Sequence, residues 1–265
     1  MVGAKQGTNI LINIFYNVAV NAAVGVANQV RNAVFGFVSS FQTAFNPQIV
    51  KLYAAKDSKQ LLSLIYRASK FSYYLLFIIS LPIVLFCREI LSIWLVNVPD
   101  YAVVFTRLVI IASFAEALSA PLWTAIGATG KVRQYQMLVS LIIFLEIPFV
   151  YVVFKLGVTP IIAFVINIFV GILAFIYRLF YIKRFVPYRI TEYLNEVIVP
   201  CCKVSFLSFP VPYFFSNYSH TIFNTMLFSL GTAVLSGMIM FLVGLDRSEK
   251  QFVKSIFIKF LKKES

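Results

Sequence analysis

Acidic side chains are scarce in this chain, and imidazole is scarcer. Asp and Glu number 10 against 23 Lys and Arg, and His220 is the single histidine. That histidine is expected in an outward loop, so neither histidine-based catalysis nor a histidine metal site is expected. Cysteine is almost absent too: Cys201 and Cys202 are neighbours and Cys87 is remote, so neither a disulfide framework nor a metal spacing is present. The Cys201–Cys202 pair could carry an acyl group, but a structural role fits it better. Charge of either sign makes up only 12% of the residues against 60% apolar, where a soluble domain carries about 25% charged residues. That leaves too little polar surface to wrap a water-soluble core. The excess of 13 positive charges is not gathered into one patch; it sits between apolar runs, as topology determinants do, which excludes a nucleic-acid footprint. No long hydrophilic connection occurs, so no appended soluble domain is expected. Nor is a cleaved secretory leader expected, because the first apolar run has no cleavage-like end.

Long apolar runs are what the chain has in abundance, with a mean hydropathy of +0.87. Residues 6–50 carry one formal charge, Arg31, in 45 residues. As helix they would extend about 68 Å, roughly twice a bilayer's hydrocarbon core, so the stretch predicts two spans. It is unusually rich in amides: Asn9, Asn13, Asn17, Asn21, Asn28, Gln29, Asn32, Gln42, Asn46 and Gln48. Amides at that density have no reason to face lipid and predict a wet cavity between helices. The small residues among them, such as Ala22, Ala23, Gly25, Ala27, Ala33, Gly36 and Ser40, suit close helix contact.

The expected fold class is all-α integral membrane, with eight spans near residues 2–20, 22–52, 62–86, 101–127, 134–154, 159–180, 197–215 and 221–245. The first turn is expected near 21–25, and Pro210 and Pro212 should break the seventh span. Lys51, Lys56, Lys59, Arg67 and Lys70 are grouped as the cations around the connection of the second and third spans, Lys131 and Arg133 lie between the fourth and fifth, and Lys183, Arg184 and Arg189 between the sixth and seventh. The loops between these are nearly bare of cations. The alternation fits an even number of spans with both termini in the cytoplasm. Residues 246–265 form a basic tail in which Phe252, Ile256 and Phe260 recur at helical spacing among Lys254, Lys259, Lys262 and Lys263, the pattern of an amphipathic helix on an anionic membrane surface.

Gly127-Ala128-Thr129-Gly130-Lys131 resembles a phosphate-binding loop only in part. The required first glycine is Ala125 and the residue after the lysine is Val132, so a helix end with glycine turns is the better reading. Among the charges inside predicted spans, Arg31, Glu116, Glu146 and Lys203 stand out as candidates. Each costs a few kcal/mol at the bilayer centre, so each needs a cavity or a partner. Arg31 is a candidate for contacting an anionic headgroup, because guanidinium pairs with phosphate oxygens through two parallel N–H bonds; the competing reading is an ion pair with Glu146 or Glu116. Glu116 and Glu146 are candidate coupling sites for a proton or sodium ion. Lys203 is expected to reach the cytoplasmic headgroups. The two carboxylates lie on different spans and no nucleophile is nominated, so no enzyme, cofactor or metal site is expected.

The runs Asn21-Ala22-Ala23, Ala27-Asn28-Gln29-Val30, Phe41-Gln42-Thr43-Ala44 and Asn46-Pro47-Gln48-Ile49-Val50-Lys51-Leu52-Tyr53-Ala54 resemble the seventh and eighth helices of bacterial polysaccharide transporters. Those transporters belong to the multidrug/oligosaccharidyl-lipid/polysaccharide exporter superfamily. Glu89-Ile90-Leu91-Ser92-Ile93-Trp94-Leu95, Val98-Pro99-Asp100-Tyr101 and Ala128-Thr129-Gly130-Lys131 are similar to segments around their ninth and tenth helices. The resemblance covers residues 5–155 and weakens beyond. It implies a fourteen-helix carrier of two six-helix lobes plus two extra helices, of which this chain would hold the second lobe (1–182), the extra helices (183–245) and the tail. It further implies export of an undecaprenyl-diphosphate-linked oligosaccharide across the bacterial inner membrane for O-antigen, capsule or exopolysaccharide assembly. The other reading in that superfamily is a drug or cation antiporter. The missing N-terminal half would make the chain a half-carrier. The residues Arg31, Asn21, Asn28, Gln29, Gln42, Asn46 and Gln48 are the expected cavity wall, by charge, depth and polarity, facing lipid-linked substrate and membrane lipid.

Overall fold

The structure is a computed structural model describing residues 2–216, 221–251 and 253. Among these residues there is no β-strand. Helix α1 (Val2–Phe15) leads into α2 (Val18–Ala54), α3 (Ser58–Leu85), the short α4 (Cys87–Trp94) and α5 (Ala102–Ala128). Then come α6 (Val132–Phe144), α7 (Glu146–Lys155), α8 (Ile161–Tyr181), α9 (Ile190–Tyr193), α10 (Val199–Ser208), α11 (Pro210–Ser216) and α12 (Ile222–Ile239).

Six segments are long and apolar enough to cross a membrane: Ser58–Leu85, Ala102–Ala128, Val132–Lys155, Ile161–Arg184, Ile190–Tyr213 and Ile222–Gly244. The chain is a multi-pass helical membrane protein. These six correspond to the third to eighth expected spans. α1 and α2 are not among them, because α1 has only 14 residues, about 21 Å of helix, and the amides of α2 hold down its hydropathy.

Proline and asparagine set the breaks. Pro148 has no N–H to offer the carbonyl of Phe144 and crowds it, and α6 ends at Phe144. The α10–α11 break falls at Phe209, just before Pro210. The first turn corrects the sequence expectation: it lies at Tyr16–Asn17, not at 21–25. Asn17 caps α2 by accepting the Val20 N–H at 2.8 Å, and Ala22-Ala23 then favour helix over turn. A second correction concerns Arg67 and Lys70, expected in a connecting loop. α3 begins at Ser58, capped by Asp57, so both cations lie within the helix, and Lys70 is 4% exposed.

Spans consecutive in the chain run in opposite directions, while α2, α5 and α8 lie side by side in the same direction, and this gives the bundle two unlike ends. At one end the tip of α2 and the start of α3 face Phe185 and Val186, Tyr181 donates to the Lys131 carbonyl at 3.3 Å, and Lys70 pairs with Glu249 at 2.7 Å. Lys51, Lys56, Lys131, Arg184 and Arg247 all belong to this end. At the other, Phe15 meets Tyr151 and Tyr16 meets Phe154, ring centroids 5.7 and 4.9 Å apart. His220 and the tail residues Phe252, Lys254, Ile256, Lys259, Phe260, Lys262 and Lys263 lie outside the described residues.

The faces of the helices differ in kind. α8 and α12 present Phe169, Leu173, Phe180, Phe223 and Leu230 outward, a surface suited to lipid. α2 packs Val20, Ala23, Val24, Ala27, Val34 and Val38 inward. Its outward face is mixed: Ala22, Gly25, Gln29, Asn32, Gly36, Ser40 and Thr43 are small or polar, and Val18, Phe37 and Val50 are exposed beside them.

One close approach ties the end of the last span to α3. Tyr74 donates to the Gly244 carbonyl at 3.0 Å, and a Cβ at Gly244 would lie 2.6 Å from Tyr74 Oη and 2.7 Å from Val204 Cγ2. Gly244→Ala is therefore expected to destabilise the protein by about 1–3 kcal/mol through overpacking. Thermal unfolding in detergent checks this; an unchanged Tm would contradict it.

Candidate functional site

A cavity of about 120 Å³ runs inside the bundle between α1, α2, α5, α6–α7 and α8. That is room for roughly ten water centres. It exists because facing positions are small: Ala112 and Ser113 on α5, and Ala163, Gly171 and Ala174 on α8. Its polar lining is Thr8, Asn9, Asn28, Arg31, Ser113, Glu116, Ser119, Glu146, Asn167 and Arg178.

Arg31 and Glu116 form an ion pair across α2 and α5, Nη2 to Oε2. The guanidinium also donates from Nη1 to Asn32 Oδ1 at 3.1 Å and lies 5.0 Å from the centre of the Phe35 ring. Of the pairings open to Arg31 from the sequence, the one with Glu116 is found, and both partners line the cavity. The pair is unequally covered, with 13% of the Arg31 side chain and 36% of the Glu116 side chain exposed.

Glu146 is buried, at 2% exposure. Its Oε1 accepts from Thr8 at 3.2 Å, and Asn167 Nδ2 reaches Oε1 and Oε2 at 3.2 and 3.0 Å. Three helices thus converge on this carboxylate at the α6–α7 break, where Pro148 opens the ladder. Deeper toward the basic end, Arg178 donates from Nε to Tyr135 Oη on α6. It is 8% exposed.

The expected amide wall divides. Asn28 lines the cavity beside Arg31. Gln42 donates to the Ala117 carbonyl at 3.1 Å, and Asn46 accepts from Thr124 at 2.8 Å, so these two fasten α2 to α5. Asn21 is half-buried beyond the lining, and Gln29 and Gln48 point outward from α2. Lys203 is exposed on α10.

Thr8, Asn167 and Arg178 escaped sequence reasoning. Asn167 did carry a signal, as the one amide in the apolar run of α8. Arg178 carried little, because a cation near the basic end of a span passes for a topology determinant.

No family model, curated protein or solved structure matches this chain. Its class rests on its own geometry: a multi-pass helical membrane protein with two arginines and two glutamates around an internal cavity. On insertion scales four such charges cost on the order of 10 kcal/mol if unpaired at the bilayer centre. A passive anchor gains nothing from carrying them.

Proposed function

We propose that this chain is a lobe of a membrane carrier exporting a lipid-linked oligosaccharide through its isoprenoid diphosphate headgroup. The observation that carries the reading is the charged cavity inside an apolar bundle, with the Arg31–Glu116 pair on its wall. A guanidinium already paired with a carboxylate can exchange that partner for a phosphate without being left bare.

The outward face of α2 supports a companion lobe, because Gln29, Asn32 and Ser40 suit a second set of helices or a water path better than lipid. α1 and α2 then make two further crossings, eight in all. The basic end lies in the cytoplasm of a bacterial inner membrane. Glu146, held by Thr8 and Asn167, is the coupling site for a proton or sodium ion, with Glu116 a second candidate.

Glu116 and Glu146 in one cavity also favour a second reading, a cation or drug antiporter. Deleting the gene in its source organism separates the two. The exporter reading expects lipid-linked oligosaccharide to accumulate on the inner leaflet while surface polysaccharide falls. Unchanged polysaccharide with raised retention of a cationic dye would overturn it in favour of the antiporter.

A further inference from the structure

Arg178 is the one cavity cation without a carboxylate among the described residues. The three ion pairs found there are Arg31–Glu116, Lys70–Glu249 and Arg189–Glu192. Arg178 is 92% buried, the complement of its 8% exposure, and it lines the cavity. Its single hydrogen bond uses Nε, to Tyr135 Oη. Both Nη atoms are left without a protein acceptor, and neither is sealed off, on a residue that lines the cavity. Glu146 sits further along the same cavity: the Asn167 that holds it is eleven residues from Arg178 on α8, an axial offset of about 16 Å.

The Tyr135 bond does more than satisfy one donor. It fixes the plane of the guanidinium and presents the Nη1–Nη2 edge, four N–H donors, to whatever enters. Tyr135 is itself held in an aromatic cluster, its ring centroid 5.2 Å from Trp123 and 5.4 Å from Tyr181. Such an edge, oriented and short of acceptors, matches an oxyanion with two oxygens in one plane.

The geometry points to an oxyanion site at the basic end of the cavity, in which Arg178 binds a phosphate or diphosphate group and Tyr135 is its positioning residue. The inference rests on the cavity being a ligand path, as proposed above, and adds where the anionic group is first gripped. A phosphate can come from a lipid headgroup or from a free anion, and the two are separable.

The test uses the full chain in phosphatidylcholine nanodiscs with Trp94→Phe, which leaves Trp123 the only tryptophan of the two. Farnesyl diphosphate is expected to change Trp123 fluorescence saturably, and farnesol is not. Arg178→Gln should weaken the diphosphate about tenfold or more, with Arg178→Lys between, since an ammonium keeps the charge but loses the fork. Inorganic pyrophosphate as the third probe identifies the source: equal binding assigns a free anion, and binding of the farnesyl compound alone assigns a lipid headgroup.

Should Arg178→Gln fail to fold, phenylglyoxal labelling of the unsubstituted arginine decides, read by peptide mass spectrometry. Farnesyl diphosphate is expected to suppress the adduct at Arg178. Unchanged affinity in a folded Arg178→Gln, or equal labelling with and without the diphosphate, would overturn the site. Binding without any export phenotype sinks the carrier reading alone, whereas intact export with no protection of Arg178 sinks this inference alone.

Discussion

Glu249→Ala is expected to release residues 246–251 from α3, raising tryptic cleavage at Arg247 by about a hundredfold or more. The reason is the Lys70–Glu249 pair, 2.7 Å apart with side chains 5% and 2% exposed. Removing one partner of a buried pair costs about 3–5 kcal/mol, because the other charge is stranded. Local opening exposes the site in proportion to that loss. The carboxylate has a second duty, since its Oε2 accepts the Asp246 N–H at 3.0 Å while Asp246 Oδ1 accepts the Glu249 N–H at 2.8 Å, a reciprocal cap on the helical residues 247–251. Arg67 adds a bond to Ser248 at 2.9 Å. The double substitution Lys70→Met with Glu249→Leu should restore most of the protection, as two apolar groups of similar volume replace two charges. Cleavage at Arg247 unchanged in Glu249→Ala would contradict this.

The same cap gives the tail an acid limit. Burial alone would raise the Asp246 carboxyl, but the Glu249 N–H, the Ser248 hydroxyl and the cations Lys70 and Arg67 more than offset it, and its pKa falls below the ordinary value. A depressed carboxylate contributes stability above its unfolded pKa, about 3.9, and loses it as pH falls through the folded value. Docking of residues 246–251 on α3 is therefore expected to weaken below about pH 4.

On the carrier function proposed above, Arg31→Gln is expected to slow leaflet exchange of a lipid-linked substrate by about ten- to a hundredfold, the worth of a charge-assisted hydrogen bond of 1.5–3 kcal/mol. Arg31→Lys should fall between, because it keeps a point charge and loses the planar fork. Glu116→Gln removes the competitor for the guanidinium and should tighten binding of an anionic headgroup while leaving Arg31 in place over Phe35. The measurement is the exchange rate in inverted membrane vesicles. Unimpaired exchange in both Arg31 variants would remove Arg31 from the substrate path.

Much of the architecture was legible because bilayer physics leaves few options. Apolar runs of about twenty residues read as helices, and the alternation of basic loops anticipated two unlike ends. The first turn was misplaced because Asn21 and Gly25 look like turn residues, yet the local bond from Asn17 to the Val20 N–H decides the start of α2. Lys70 read as a loop cation because its partner Glu249 is 179 residues later in the chain, and no local pattern announces such a pair. In the cavity, Arg31 and the two glutamates stood out as isolated charges. Gln42 and Asn46 had the same polarity as Asn28 and nearly its helical phase, but they lie about 21 and 27 Å further along α2, past the cavity lining, where α2 packs on α5. Arg178 was hidden by its position near a basic loop, and only its contact with Tyr135 shows that it turns inward.

The most direct test of the central claim, a wet charged cavity inside a membrane bundle, compares two cysteines two residues apart on α8. Gly171 lines the cavity, and a Cβ there would meet nothing nearer than Ala115 Cβ at 4.0 Å. Leu173 is 56% exposed on the outer face. Each is replaced singly by cysteine in a chain whose exposed Cys202 is serine, and membranes are treated with a charged, membrane-impermeant thiol reagent. The account predicts rapid labelling of Gly171→Cys and none of Leu173→Cys. Two inert thiols, or Leu173→Cys labelled as fast as Gly171→Cys, would contradict it.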